Sequence, residues 1–388
     1  MEYVTIGESC SVVSGGTPSR SKGEFWQDGT IPWIKIGNIK TKYVNEYDEL
    51  ITEEGLNNSS AKLLKKGTIL YTIFATLGEV GILDIDACTN QAIAGITIND
   101  PRITPDFLYY YLKSKKEYVN SIGRGVAQNN INLTTLRKFE IPLIDRDKQS
   151  IIVKTLEKVE KIIDSQKKEL DRYDELVKSR FVEMFGNPVA NEKGWEISLC
   201  KNLMSKIGSG ATPKGGKESY CDEGISLIRS MNVYNNRFEY KDLAHITDDQ
   251  AGQLENVTIE KKDVLLNITG ASVARCCVVP DDLLPARVNQ HVSIIRCKER
   301  ILPEFLCCMF TEDNYQRLLW NIATAGGATR EAITKQQIEE LMLIVPPIDL
   351  QRQYITFVKW IDKLKSAVQA ALDKTQLLFD SLMQEYFG

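Results

Sequence analysis

A chain of 388 residues is too long for a single hydrophobic core, so two domains are expected. Its 43% hydrophobic and 26% charged residues, with 12 Pro and 25 Gly, exclude a disordered, collagenous or disulfide-scaffold protein. The 48 basic and 52 acidic side chains give a net charge of -4, the wrong sign for an autonomous, high-affinity DNA binder.

From the amino end, MEYVTIGES has neither the basic flank nor the apolar stretch of a signal peptide, and an intracellular, cytoplasmic location is expected. Residues 1–144 alternate short β-branched runs with Gly, Asn, Asp and Pro, the texture of strands and turns with a few short helices. Residues 145–186 lack Pro and Gly until Gly186 and carry heptad-spaced apolar side chains, which predicts one long helix. Residues 187–347 return to the first texture. The tempting apolar run Leu341–Val345 stops at Pro346 and Pro347, far short of a membrane span. Residues 348–388 repeat the helical pattern.

The second half is a divergent copy of the first. Residues 130–186 and 332–388 align without a gap, placing Ile131 on Ile333, Ile141 on Leu343, Gln149 on Gln351 and Val159 on Ile361. Upstream, SGGTPSR (14–20) pairs with GSGATPK (208–214), IPWIKIGNI (31–39) with ISLIRSMNV (225–233), and KKGTIL (65–70) with KKDVLL (261–266). TNQAIAGI (89–96) pairs with VNQHVSII (288–295), and TPDFL (104–108) with LPEFL (302–306). The heptad seams run through Gln149, Leu156 and Ile163 in one helix and Gln351, Val358 and Leu372 in the other. Each seam needs a partner, and the two helices are expected to pair as an antiparallel coiled coil. The fold class is therefore α+β: two strand-rich mixed modules in pseudo-twofold tandem, separated by two long helices.

Several chemistries are excluded. Nine cysteines without a C-x-x-C pair read as small apolar fillers, and His245 and His291 are too few for a Cys/His zinc cluster. GATPKGGKES (210–219) mimics a phosphate loop, but Gly216 stands where the Lys of such a loop belongs. Val345-Pro346-Pro347-Ile348 is a turn into a helix, not an adenine-methyltransferase motif.

Two divergent modules, each followed by a long helix, together with G-x-T-P, I-P-W-I, the R-x-x-Q-S-I-I run at 146–152 and the E-M-F-G-N-P junction at 183–188, resemble the specificity subunit of type I restriction-modification systems along the whole chain. The resemblance implies two target recognition domains (1–144 and 187–347), each reading one half of a split, asymmetric DNA site, and two spacer helices (145–186 and 348–388). It implies no catalysis by this chain. Its partners would be double-stranded DNA, two adenine-N6 methyltransferase subunits and restriction/translocase subunits. No cofactor belongs to the chain itself; S-adenosylmethionine, ATP and Mg belong to the partner subunits. The helix residues Ile152, Leu156, Tyr173, Tyr354, Val358 and Phe379 are candidates for docking those subunits. The competing classes are a stand-alone DNA enzyme, which would need a carboxylate metal site or methyltransferase signatures, and a coiled-coil adaptor with no sequence-dependent DNA binding.

Under this reading the G-x-T-P loops offer Thr17, Ser19, Arg20, Thr212 and Lys214 as DNA contacts, although a turn alone explains their Gly and Pro. Lys35 with Asn38, and Arg229 with Asn232, follow in basic stretches that also hold Lys22, Lys40 and Lys42, or Lys217 and Arg237. The segments SIGRGVAQNNIN (121–132) and TAGGATREAIT (324–334) put Gly beside side chains that pair with base edges: Arg124, Gln128, Asn129, Asn130, Thr329 and Arg330. A loop and helix cap is the structural alternative. Asn90-Gln91 and Asn289-Gln290, kept in both copies, are expected to bond a backbone turn, and His291 to pack or hydrogen-bond. Net charges of -1, 0, -3 and 0 for the four segments mean that phosphate neutralisation must come largely from partner subunits.

Overall fold

A computed structural model describes residues 2–123, 130–213, 215–325 and 331–388. The chain divides into two compact units, Met1–Lys167 with Ala370–Gly388, and Lys168–Gln369. Both are mixed α+β, as the sequence pattern requires.

In the first unit a five-stranded sheet runs in the order Cys10–Ser14, Ile93–Ile98, Ile69–Thr72, Val80–Leu83, Tyr43–Val44. Its pairs are antiparallel except the last, which is parallel. A three-stranded sheet places Ile31–Ile34 between Glu49–Ile51 and Cys88–Thr89. The run Ile69–Thr72 is buried throughout because the large sheet is covered on both faces. Strand periodicity sends Ile69 and Tyr71 into one core, with Phe107, Leu108 and Tyr111, and Leu70 into another, with Ile34, Leu83 and Ile93.

The second unit is built to the same plan. Met204–Ser209, Val292–Cys297, Val264–Asn267 and Cys276–Val278 form its large sheet, and Ala244–Ile246, Ile225–Ile228 and Ala286–Val288 the small one. Val264 and Leu266 face the helical core while Leu265 faces the other. The repeated T-P-D-F-L and L-P-E-F-L motifs open the helices Pro105–Ser114 and Pro303–Phe310. In each, Pro occupies the first turn, where its missing N–H costs nothing, beside an acidic residue that suits the helix dipole.

The long helices are Arg146–Phe185 and Ile348–Phe387, 40 residues each. In the first unit Val153, Leu156, Val159 and Ile163 share a core with Phe379, Met383 and Phe387. In the second, the Tyr354 ring lies 5.5 Å from both Phe181 and Phe185, its hydroxyl donates to the Val177 carbonyl at 3.3 Å, and Lys365 pairs with Asp174. Rising numbers on one helix meet falling numbers on the other, so these two segments run antiparallel.

Gln149 and Gln351, nominally seam positions, are fully buried and do different work. The Gln149 amide accepts from the Thr104 N–H and hydroxyl, both at 3.0 Å, and donates to the Arg102 and Ile144 carbonyls at 2.7 and 3.0 Å. Gln351 accepts from the Leu302 N–H at 2.9 Å and donates to Arg300 and Pro346 carbonyls at 3.1 and 2.8 Å. Each Gln ties its long helix to the turn that starts the T-P-D-F-L or L-P-E-F-L helix, satisfying main-chain groups that would otherwise be stranded.

Candidate nucleic-acid interface

At one end of each large sheet, four chain segments that are distant in sequence lie side by side through main-chain hydrogen bonds. In the first unit, Gly15 N–H donates to Ile93 O at 3.0 Å, Ile73 N–H to Ala92 O at 2.9 Å, and Ile131 N–H to Ile73 O at 3.0 Å. In the second, Gly210 donates to Val292 at 3.0 Å, Ile268 to His291 at 3.0 Å, and Ile333 to Ile268 at 2.8 Å. Isolated bridges extend the rows, Phe74 with Asn130 and Thr269 with Ala332. The G-x-T-P loop, the Asn-Gln turn, a hairpin tip and the segment before the Leu133–Arg137 or Lys335–Glu339 helix thus form one rim, built twice.

Close approach explains the first glycine of each loop. A Cβ on Gly15 would collide with Thr89 and the Asn90 carbonyl, and one on Gly210 with the Val288 and Asn289 carbonyls. The Thr17 hydroxyl then donates to the Gln91 side chain, and Thr212 does the same to Gln290. Asn90 and Asn289 each accept a backbone N–H two residues on, from Ala92 at 3.2 Å and His291 at 3.1 Å, which is the turn-bonding role expected of them. His291 hydrogen-bonds through both ring nitrogens, to Thr269 at 2.6 Å and to the Gln290 amide at 3.2 Å.

Beside the rim of the first unit, Arg20 and Lys35 converge on Glu49, at 2.6 and 3.1 Å, and Lys35 also lies 3.6 Å from Asp48. The Arg20 guanidinium stacks 3.6 Å over the Trp26 ring, and Trp33 donates its indole N–H to the Gly16 carbonyl at 3.0 Å. Burial pushes the Glu49 carboxyl up, but the hydrogen bonds and charges of Arg20 and Lys35 outweigh it and hold the group below its ordinary range. Ser19 is exposed, 2.9 Å from Ser21 through its hydroxyl. In the second unit Arg229, at the place of Lys35, lies over Tyr220 at 5.6 Å and donates to the Asp242 carbonyl; its Nε is buried without a partner among the described residues.

Other candidates lie elsewhere. Asn38 and Asn232 are buried, and each accepts the N–H of the preceding basic residue, Lys35 at 2.9 Å and Arg229 at 3.1 Å. Their amides go to Asp48 and to the Glu239 and Lys241 carbonyls, so they shape the turns carrying the cations rather than face solvent. Lys42, adjacent to the basic stretch in sequence, is spent on Asp106 and Glu157, both at 2.6 Å. Leu156, Tyr354 and Phe379, expected as docking residues, fill the cores of the units, because the apolar stripe of each helix meets a module of the chain and the neighbouring helix. Ile152 and Val358 are partly buried against those cores and Tyr173 is half-buried. Asn130 is exposed on the rim. Arg124, Gln128, Asn129, Lys214, Thr329, Arg330 and the side chain of Lys217 lie outside the described residues. Sequence reasoning missed Glu49, Phe74 and the Thr-Gln pairing; for the last, retention of both residues in both copies was the available signal.

Residues 1–172 and 192–374 each match the family described as Type I restriction modification DNA specificity domain. The type I restriction enzyme MjaIX specificity subunit of Methanocaldococcus jannaschii is 27% identical over 387 residues, covering 91% of this chain and 84% of that protein. The EcoBI specificity subunit of Escherichia coli is 20% identical over 336 residues, 78% of this chain and 69% of that one. Among solved structures, a chain from a study of complex assembly and conformational transition of the type I R-M system aligns over 100% of this chain and 97% of its own length, with TM-score 0.65 and 17% identity. The crystal structure of the type I restriction-modification S subunit from M. genitalium covers 100% and 96%, with TM-score 0.54 and 16% identity. These likenesses carry the fold; the family matches, which take in most of the chain and fall once on each repeat, carry the membership. The chain belongs to the DNA specificity subunits of type I restriction-modification systems, whose part is recognition and not catalysis.

Proposed function

We propose that residues 1–144 and 187–347 are two readers of one split, asymmetric DNA sequence, and that residues 145–186 and 348–388 are spacers that also dock partner subunits. The observation that supports this best is the four-segment rim, built twice with the same main-chain bonds and different side chains. Identical readers would select a palindrome, whereas divergent ones select two unlike half-sites. Arg20, Lys35, Lys214 and Arg229 serve as phosphate contacts, with Thr17, Ser19 and Thr212 presenting the loops. Arg124, Gln128, Asn129, Asn130, Thr329 and Arg330 reach base edges or phosphates. Asn38 and Asn232 act through the turns they hold.

Two adenine-N6 methyltransferase subunits, and restriction/translocase subunits with them, are the protein partners in this reading. They bring S-adenosylmethionine, ATP and Mg, and the positive charge this chain lacks. Exposed apolar helix residues offer the docking surface in place of the buried ones: Ile151 (63% exposed) and Leu377 (70%) in the first unit, Trp360 (56%) and Leu176 (44%) in the second. The complex would work in the cytoplasm, where its DNA is. No helix among the described residues is long and apolar enough to cross a membrane.

The test is domain exchange. Residues 1–144 are replaced by the corresponding domain of another specificity subunit, the complex with methyltransferase is reconstituted, and methylated adenines are mapped. One half-site should change and the other persist. Alteration of both halves would defeat the two-reader assignment.

A further inference from the structure

Of the 12 phenylalanines, Phe74 alone is exposed, at 44%, and it stands on the rim between the Asn-Gln turn and Asn130. Its neighbours in sequence show that it is not there for packing. Ile73 and Leu77 are 8% and 1% exposed and anchor the hairpin in the core, while Phe74, Ala75 and Thr76 project from it. The tip is held stiffly. Ile73 is bonded on both sides, the Thr72 hydroxyl accepts from the Glu79 N–H at 2.8 Å and donates to the Thr76 carbonyl, and Ala75 sits at φ 62, a left-handed conformation that a non-glycine residue adopts only when its surroundings impose it. Gly270, at φ 71, makes the corresponding turn in the second unit.

We propose that Phe74 is a specificity-determining residue of the first reader, which makes apolar contact with a base of its half-site. This rests on the two-reader assignment above and adds a position to it. A rigidly presented aromatic beside Gln91 and Asn130 combines an apolar surface for a thymine methyl or an unstacked base with amides for base edges. The second unit keeps the backbone but carries Thr269 at that place, hydrogen-bonded to His291 at 2.6 Å, and Ala332 opposite it. One tip is therefore apolar and aromatic and the other small and polar, a difference that fits two unlike half-sites.

The test uses the full chain in complex with its methyltransferase, with wild type, Phe74→Ala and Phe74→Thr compared by mapping methylated adenines and by rates on wild-type sites. If the wild-type complex yields no split consensus, the two-reader assignment itself fails. Given that consensus, both variants should keep the wild-type melting temperature, lose about tenfold in rate at wild-type sites, and relax the consensus at one or two positions of a single half-site. Substituting uracil for thymine at those positions separates the two apolar contacts: loss in wild type and none in Phe74→Ala means a methyl contact, and no effect in either means stacking. Rates within twofold of wild type with an unchanged consensus would overturn the proposal. So would an equal loss on all DNA, or a relaxed consensus in both half-sites.

Discussion

Replacing Gln149 by Leu keeps its size and helix propensity and removes four hydrogen bonds from a side chain with no exposed surface. The hydrophobic gain is small, because the amide is already packed. The loss is that the Thr104 N–H and the Arg102 and Ile144 carbonyls must find other partners, at about 1–3 kcal/mol for each that stays buried. Thr104 and Ile144 are half-buried and Arg102 is exposed, so water relieves part of this, and about 2–4 kcal/mol is the expected net cost. For a unit of this size each kcal/mol lowers Tm by about 2–4 °C, and the variant should melt about 5–15 °C below wild type. Gln351→Leu strands the Leu302 N–H and two carbonyls and should lose a similar amount. Because the two sites share no partners, their effects on stability should add in the double variant. Thermal unfolding followed by circular dichroism at 222 nm measures all three, and methylation mapping should show unaltered specificity. A Gln149→Leu melt within 1 °C of wild type would refute the reasoning, and would mean that the heptad position itself, not the hydrogen bonds, explains the residue.

Leu156→Ala opens a cavity in the first core and should cost about 2–5 kcal/mol, read by urea unfolding, whereas Ile151→Ala, on the exposed side of the same helix, should cost under about 0.5 kcal/mol and weaken methyltransferase binding instead. Glu49→Gln should free Arg20 and Lys35 and tighten non-specific DNA binding by the complex a few-fold at low salt, an effect that fades as salt rises. Glu49 titrates below its ordinary range, so its stabilisation is fully present above about pH 4.3 and is lost as pH falls through the lowered value; thermal melts between pH 6 and 3 should fall less steeply in Glu49→Gln than in wild type. Burial pushes the Cys88 thiol up to about 11 and Cys200 up to about 12, so brief alkylation of the native chain at pH 8 should label the half-buried Cys221 first, as read by peptide mass spectrometry.

What could be read from the sequence was whatever repeats or has a period. The tandem copies and the long helices are legible in this way, whereas T-P-D-F-L and L-P-E-F-L show only as a repeat and not as helix starts. Pairings across long separations are not legible. Thr17 meets Gln91 from 74 residues away and Arg20 meets Glu49 from 29, and no local pattern encodes either contact. The heptad stripe misled in a specific way. It shows that Leu156, Tyr354 and Phe379 need a partner, but not that the partner is the chain's own module rather than another subunit. The basic stretch misled similarly, since Lys42 follows Lys35 closely in sequence yet pairs with Glu157 on the long helix.

The two rims also explain how a duplicated reader can diverge without unfolding. What holds the four segments together in both units is main chain, or a residue retained in both copies: Gly15 and Gly210, Thr17 and Thr212, Asn90 and Asn289, Gln91 and Gln290. Differences on the rim fall at Phe74 against Thr269, Ala92 against His291 and Asn130 against Ala332, and of these Phe74 and Asn130 are exposed. In the second unit His291 engages the Gln290 amide, while Ala92 can offer Gln91 no such bond, so even a shared residue presents different donors to solvent. Substitution at Phe74 or Asn130 leaves the frame's main-chain hydrogen bonds intact and therefore costs little stability. Under the proposed two-reader assignment, base preference can then change in one unit at a time, while the affinity owed to phosphate contacts stays with the assembled complex.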